Sequence, residues 1–277
     1  MSVASGTTPP GTAGEQQAAE WVKRMFAGIA PRYDVANHLL SFNIDRGWRK
    51  ALMDRLRPIV TRPDTRVLDL CCGTGDVLLD LQRIASSRVM GADFCHPMLI
   101  SAQKKVAQNG FESPLFEADA LQLPLTDDSL DAISIAFGFR NLANYQTGLQ
   151  EFHRILKPNG VLAILEFSHP PGLLMRTAYE VYSQVVLPMI GAMVSGSKEA
   201  YTYLPDSIRR FPGAEGLRTM MEKAGFAGTY YELLTGGIAA LHVGAKSTAG
   251  STRQASVDLL AQTQVANQPQ QVIGMKP

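Results

Sequence analysis

The sequence is short of cysteine, of tryptophan and of excess charge: in 277 residues it carries three Cys, two Trp and a net charge of +1. The cysteines are Cys71, Cys72 and Cys95. An odd number with no CxxC pair excludes a disulfide framework and a zinc site, and no metal centre of another kind is suggested; a reducing cytoplasm is the expected compartment. Twenty-six basic against 25 acidic side chains, with no basic run, leave no electrostatic footprint for nucleic acid. Long hydrophobic runs are missing too. The nearest, Val181–Val194, is broken by polar residues and by Pro188. It is too short to cross a bilayer, so peripheral contact at the inner face of the plasma membrane is the most it allows. The N-terminus has neither a basic start nor an apolar stretch, so no secretory signal is expected there.

What is present is a strand–helix alternation between two polar segments. Residues 1–17, rich in Gly, Thr, Pro and Gln, and residues 247–277, rich in Gln, Ser and Ala, read as disordered tails. Residues 18–246 read as one domain. Arg66–Cys71 is a strand running into glycines, followed by a helix with Val77, Leu78, Leu81 and Ile84 on one face. Further strands are expected at VMGADF, LFEADA, LDAISIAF and VLAILEF, with a helix opening at Pro97 and another, EFHRILKPNG, closed by Pro and Gly. A helix at GLRTMMEKAGF precedes TYYELL and IAALHVGA, which Thr235-Gly236-Gly237 joins as a hairpin. The fold class is therefore α/β: a mostly parallel seven-stranded sheet with an antiparallel edge hairpin and helices on both faces.

The first strand ends in Asp69-Leu70-Cys71-Cys72-Gly73-Thr74-Gly75-Asp76. Gly73 and Gly75 let the backbone turn sharply and approach a ligand, and loops at the carboxyl ends of parallel strands are where such sheets bind. A dinucleotide fingerprint would require a third glycine at position 78, where Leu78 stands. A cofactor without a diphosphate fits better, although two glycines also make a plain tight turn. Asp93 ends the second strand, where a carboxylate accepts from both hydroxyls of a ribose. Asp119 ends the third, where it can accept from an adenine amino group beside the Ala120 amide. Each aspartate could instead cap a helix or turn. Three such features ending three successive strands favour a nucleoside ligand.

The span from Met25 to Lys246 resembles the UbiE/MenG/COQ5 family of quinone-ring C-methyltransferases. The resemblance rests on MFAGIAPRYDVANHLLSFNIDRGWRK, VLDLCCGTGD, FGFRNLANYQTGLQEFHRILKPNG, LEFSHP and YLPDSIRRFP. It implies a Rossmann-like class I methyltransferase fold, with S-adenosyl-L-methionine as methyl donor and a prenylated quinol as acceptor. The expected product is menaquinol from demethylmenaquinol, with the ubiquinone precursor or another small-molecule acceptor as the alternatives. The expected donor site comprises Tyr33, Asp69, Gly73, Thr74, Gly75, Asp93, Phe94, Met98, Asp119, Ala120 and Ala136. The chain departs from the family's habit at Ala36, Asn43, Asp45, Asp119 and Ala136. Ala136 can reach a cofactor only through its backbone, and Asp45, where the family often has His, is given no acid–base role.

For the acceptor side the candidates are Arg140, Glu166 and His169. A guanidinium at Arg140 can stabilise a phenolate by paired N–H donors; alternatively it ties loops together by pairing with Asp34 or Glu166. Glu166 could meet a quinol hydroxyl or act as base, or be the salt-bridge partner. His169, near a strand end, is a better acid–base candidate than His153 or His242, which read as structural. Tyr33 could cover a sulfonium with its aromatic face or anchor a helical lid, expected over residues 18–60. Asn141 reads as turn support. An insertion over residues 173–212 is expected to wall the acceptor side. Its Met175, Val185, Val186, Leu187, Met189, Ile190 and Met193 suit a prenyl chain, or else pack an ordinary helix on the sheet or at a homodimer interface. By resemblance, Tyr201, Tyr203, Ser207 and Arg209 close that side.

Overall fold

The computed structural model describes residues 5–30, 33–34, 43–172, 177 and 198–247. In chain order its elements are α1 (Glu15–Ile29), α2 (Asp45–Val60), β1 (Val67–Leu70), α3 (Asp76–Ile84), β2 (Val89–Asp93), α4 (His96–Gln108), β3 (Leu115–Glu117), β4 (Leu130–Ala136), a 3-10 turn at Phe139–Asn141, α5 (Tyr145–Ile155), β5 (Leu156–Phe167), α6 (Lys198–Arg210), α7 (Ala214–Lys223), β6 (Phe226–Leu234) and β7 (Ala239–Lys246). The seven strands form one sheet in the order β3-β2-β1-β4-β5-β7-β6. The first five run parallel. β7 is antiparallel to both of its neighbours, so the single reversed strand lies one place in from the edge and β6 is the edge strand.

Strand β1 is buried along its whole length because helices cover both of its faces. Alternate residues feed two cores. Val67, Ala132, Val161, Ala163 and Val243 face α2 and α3, whose Leu52, Leu56, Leu78 and Leu81 are fully buried. Leu68, Leu70, Ile133, Ile135, Leu162 and Ile164 face the opposite layer, with Leu149 and Phe152 of α5 and Leu217 and Met221 of α7. α2 is thus a core layer rather than part of a cover.

Two expectations change. The helix expected through Gly160 ends at Ile155: Leu156 is already extended at ψ 138°, and Asn159 takes φ 64° just past Pro158. A helix cannot run through a residue held extended before a proline turn. Residues 5–12, inside the segment read as a tail, lie against the protein: the Thr7 amide donates to the Leu142 carbonyl at 2.8 Å, and Tyr145 donates to Ser5 at 2.8 Å. Backbone pairing of this kind does not depend on apolar composition, which is what the tail reading measured. Most of the apolar stretch at 173–194, and residues 248–277, lie outside the described residues. Among the described residues no helix is long and apolar enough to cross a membrane.

Candidate active site

A cleft of about 710 Å³, open to solvent, lies over the carboxyl ends of β1, β2 and β4. Tyr33, Gly73, Asp93, Phe94, Met98, Asp119, Ala120 and Ala136 of the expected donor set line it. Asp93 is 6 % exposed. Its Oδ2 accepts from the Gly73 amide at 2.9 Å and its Oδ1 from the Cys95 amide at 2.8 Å. The carboxylate therefore holds the glycine turn against β2, and each oxygen keeps a lone pair for a ligand hydroxyl. Burial pushes its pKa up to about 6, against the pull of the Cys95 and Gly73 amides. Asp119 is exposed, with Oδ1 accepting from Leu121 N at 2.9 Å. Gly73 sits at φ 53° with the Tyr33 ring above it: a Cβ there would come within 3.9 Å of the tyrosine edge. The tyrosine thus packs against the turn and forms part of the cleft wall.

Asp69, Thr74 and Gly75 stand behind the cleft wall rather than on it. Asp69 is 1 % exposed and its Oδ1 accepts from the Ser134 hydroxyl at 2.7 Å, across the β1–β4 pair. Its Oδ2 is buried with no hydrogen-bond partner, and burial raises the pKa to about 7. Thr74 ties the N-terminal segment down: its hydroxyl meets Asp34 Oδ1 at 2.5 Å, while Lys105 Nζ reaches Asp34 at 2.6 Å and Asp76 at 2.7 Å. Gly75, at φ 88°, opens α3 against Ala102 of α4, leaving 3.2 Å for a Cβ.

At the cleft wall, β1 and β4 run into matching left-handed residues, Cys71 (φ 57°) and Phe137 (φ 57°). Gly138 follows, so close to β1 that a Cβ would lie 2.3 Å from that of Cys71. The 3-10 turn then carries Arg140, which is 6 % exposed. Arg140 Nη1 donates to the Phe137 carbonyl at 2.5 Å and to Glu166 Oε1 at 2.9 Å, and its amide donates to Glu166 Oε2 at 3.1 Å. The guanidinium lies 5.3 Å from the centre of the Phe167 ring, and Nε is buried without a partner. Of the two partners weighed for Arg140, the structure supplies Glu166; Asp34 goes to Thr74 and Lys105. Glu166 is 1 % exposed, and Oε1 also accepts from the Phe167 amide at 2.8 Å, so both oxygens are committed to the turn and the strand end.

His169 is not brought to the cleft. It is exposed, and its Nε2 donates to the Ile208 carbonyl at 2.9 Å. His153 packs edge-on against Phe226 at 5.3 Å. His242 is buried, donates to Ala214 O at 2.8 Å and titrates low, at about 4, because burial disfavours its charged form. Asp45 is buried and paired with Arg49 at 2.6 Å. The cleft also takes Ala19 and Phe26 from α1 and Asn141, Leu142 and Ala143 from the turn. The FGFRN stretch names Asn141, as turn support only; Ala19, Phe26, Leu142 and Ala143 have no role of their own on sequence alone. Among the described residues no cluster of His, Cys, Asp and Glu could hold a metal ion.

The model of the ubiE/COQ5 methyltransferase family matches residues 12–246. A demethylmenaquinone methyltransferase of Thermus thermophilus is 48% identical over 221 residues, covering 79% of this chain and 99% of that protein. The ubiquinone/menaquinone biosynthesis C-methyltransferase UbiE of Syntrophotalea carbinolica is 43% identical over 227 residues, covering 82% of this chain and 94% of its own. Among solved structures, a SAM dependent methyltransferase from Aquifex aeolicus aligns with a TM-score of 0.51 at 19% identity, over 69% of this chain and 87% of that one. That likeness bears on the fold alone.

Proposed function

The chain belongs to the ubiE/COQ5 methyltransferase family, and on that premise we propose that it C-methylates demethylmenaquinol to menaquinol with S-adenosyl-L-methionine as donor. The observation that carries this is the 48% identity spanning 99% of a demethylmenaquinone methyltransferase. The likeness to a relative named for both quinones keeps 2-polyprenyl-6-methoxy-1,4-benzoquinol as a second acceptor.

The donor fits the cleft. In this reading the lone pairs left on Asp93 accept from the ribose hydroxyls and Asp119 accepts from the adenine amino group; both line the cleft. Ala120 and Ala136 offer backbone, Phe94 and Met98 apolar walls, and Tyr33 a ring over the glycine turn. Bound there, the donor supplies a methyl group already activated by sulfonium. What the protein adds is alignment, exclusion of water and stabilisation of the quinol oxyanion. Arg140 is the oxyanion donor. Permanently protonated, it is no base; the phenolic proton and then the ring proton pass to water. Glu166 acts through Arg140, as a positioning residue. With its Nε2 tied to a carbonyl, His169 takes no part in the chemistry. The enzyme meets its membrane-borne substrate as a peripheral protein at the inner face of the plasma membrane.

Transfer of labelled methyl to reduced demethylmenaquinone in detergent tests the reading. Labelled menaquinone from the wild type, lost in Asp93→Ala together with cofactor binding, is the expected result. Donor binding without transfer to demethylmenaquinol would reassign the acceptor, and label in the benzoquinol alone would move the enzyme to ubiquinone synthesis.

A further inference from the structure

The 3-10 turn carries a second polar side chain. Asn141, the next residue of the turn after Arg140, lines the cleft, and its amide is held in one orientation by two groups. The Phe137 carbonyl lies 3.5 Å from one terminal atom of that amide. A carbonyl oxygen only accepts, so the atom facing it is the nitrogen. Oδ1 then faces the Tyr203 hydroxyl, which donates to it at 2.9 Å. That hydroxyl has spent its one proton, so it must accept at its other contact, where Thr7 Oγ1 lies at 2.7 Å. The chain of donation thus runs in one direction, from Thr7 to Tyr203 to Asn141. Tyr203 is 5 % exposed, with its ring 5.1 Å from that of Trp21. Thr7 is 7 % exposed, clamped by its own amide on Leu142, by Gly6 (where a Cβ would fall 1.8 Å from the Ala143 carbonyl) and by Arg210 on Thr8 at 2.8 Å.

We propose that Asn141 donates a hydrogen bond from Nδ2 to the acceptor's phenolate oxygen, as a second donor beside Arg140, and that Thr7 and Tyr203 are positioning residues for it. The inference rests on the quinol reading above. An amide whose oxygen is fixed on Tyr203 turns its N–H face toward Phe137 and the cleft, and its second N–H is the donor an oxyanion needs. Thr7 lies before residue 12, where the family match begins. The device is therefore completed by a residue outside the span that the family model matches.

The test measures methyl transfer to demethylmenaquinol, S-adenosylhomocysteine affinity and Tm for wild type, Asn141→Ala, Tyr203→Phe, Thr7→Val, Thr7→Ser and the Thr7→Val/Tyr203→Phe pair. Loss of an oxyanion donor lowers turnover by about 100- to 1,000-fold, so Asn141→Ala should fall in that range. Tyr203→Phe and Thr7→Val should each lose roughly tenfold, with the double variant no worse than Tyr203→Phe, since both act on one bond. Thr7→Ser should recover wild-type turnover, and S-adenosylhomocysteine affinity should hold within about twofold throughout. Parallel loss of that affinity would assign Asn141 to the donor's carboxylate instead and overturn the proposal. So would multiplying losses in the double variant, activity falling only in step with Tm, or unchanged turnover. A wild type inactive on the quinol defeats the quinol reading and this role together; an active wild type with unaltered variants defeats this role alone.

Discussion

Glu166→Gln keeps the shape of Arg140's partner and removes its charge. The carboxylate accepts three donors: Arg140 Nη1 and the Phe167 amide on Oε1, and the Arg140 amide on Oε2. A glutamine has one acceptor oxygen, so its NH2 must face a donor whichever way it turns. The less damaging choice puts NH2 against the Arg140 amide, which loses one buried bond at about 1–3 kcal/mol. For a domain of this size each kcal/mol moves Tm by about 2–4 °C, so the variant should melt about 2–12 °C below wild type. Glu166→Leu leaves a buried guanidinium unpaired, a loss of about 3–5 kcal/mol or roughly 6–20 °C. Thermal unfolding by circular dichroism reads both, and methyl transfer at a temperature where each is folded reads the effect on Arg140. Turnover should drop at least about tenfold in the glutamine variant, because its arginine is no longer held by charge. A glutamine variant that melts within about 1 °C of wild type and turns over normally would refute the reasoning: the pair would then be neither a structural nor a positioning contact.

Asp93 must be ionised to accept from both ribose hydroxyls, and burial holds its pKa at about 6. S-adenosylhomocysteine should therefore bind more tightly as pH rises through about 6 and level off above, in calorimetric titrations, while Asp93→Asn binds about 10- to 100-fold more weakly with a flat profile. For Asp69 the pKa is raised in the folded state, to about 7 from 3.8. The folded protein then holds its proton more tightly than the unfolded chain, so this contribution is complete below about pH 4 and is lost as pH rises through about 7, amounting to no more than about 4 kcal/mol. Asp69→Asn should flatten chemical-denaturation stability across that window; an unchanged slope would show that another group sets it. Gly138→Ala drives a methyl group to 2.3 Å from the Cys71 Cβ and should cost about 1–3 kcal/mol in denaturant titrations, with part recovered by Cys71→Gly.

The strands and the glycine loop were legible because period and turn chemistry are local. Val67, Leu68 and Leu70 alternate between two cores, and glycine at 73 answers a left-handed turn. Asp93 was legible as the last residue of an apolar strand. Asp69 does not line the cleft, and strand phase accounts for that: it shares a face with Val67, toward the α2–α3 layer, and meets Ser134 of β4. Arg140's choice between Asp34 and Glu166 could not be read, since it depends on how a turn after β4 meets the end of β5. Asn141 was legible in the FGFRN stretch only as turn support, and Leu142 and Ala143 carry no chemistry of their own; the 3-10 turn brings all three to the cleft. Thr7 is further still from legibility. Its segment has the composition of a tail, and what orders it is backbone pairing with residues 142–145, more than a hundred positions away.

The place of β7 has a consequence for the order in which the chain is made. β6 is synthesised first, and because both flank β7 in antiparallel fashion, β6 runs in the same direction as β5. An emerging chain therefore offers β5 a strand that matches it in polarity before its true neighbour exists. What disfavours that mispairing is composition. The slot beside β5 takes a strand buried on both faces, as Ala239–Ala245 is, whereas β6 is only partly buried and carries Glu232, which reaches out to Arg55 at 2.7 Å. Seated in the inner slot, Glu232 would place a carboxylate in the interior, at a cost that keeps β5's edge open until the last strand arrives.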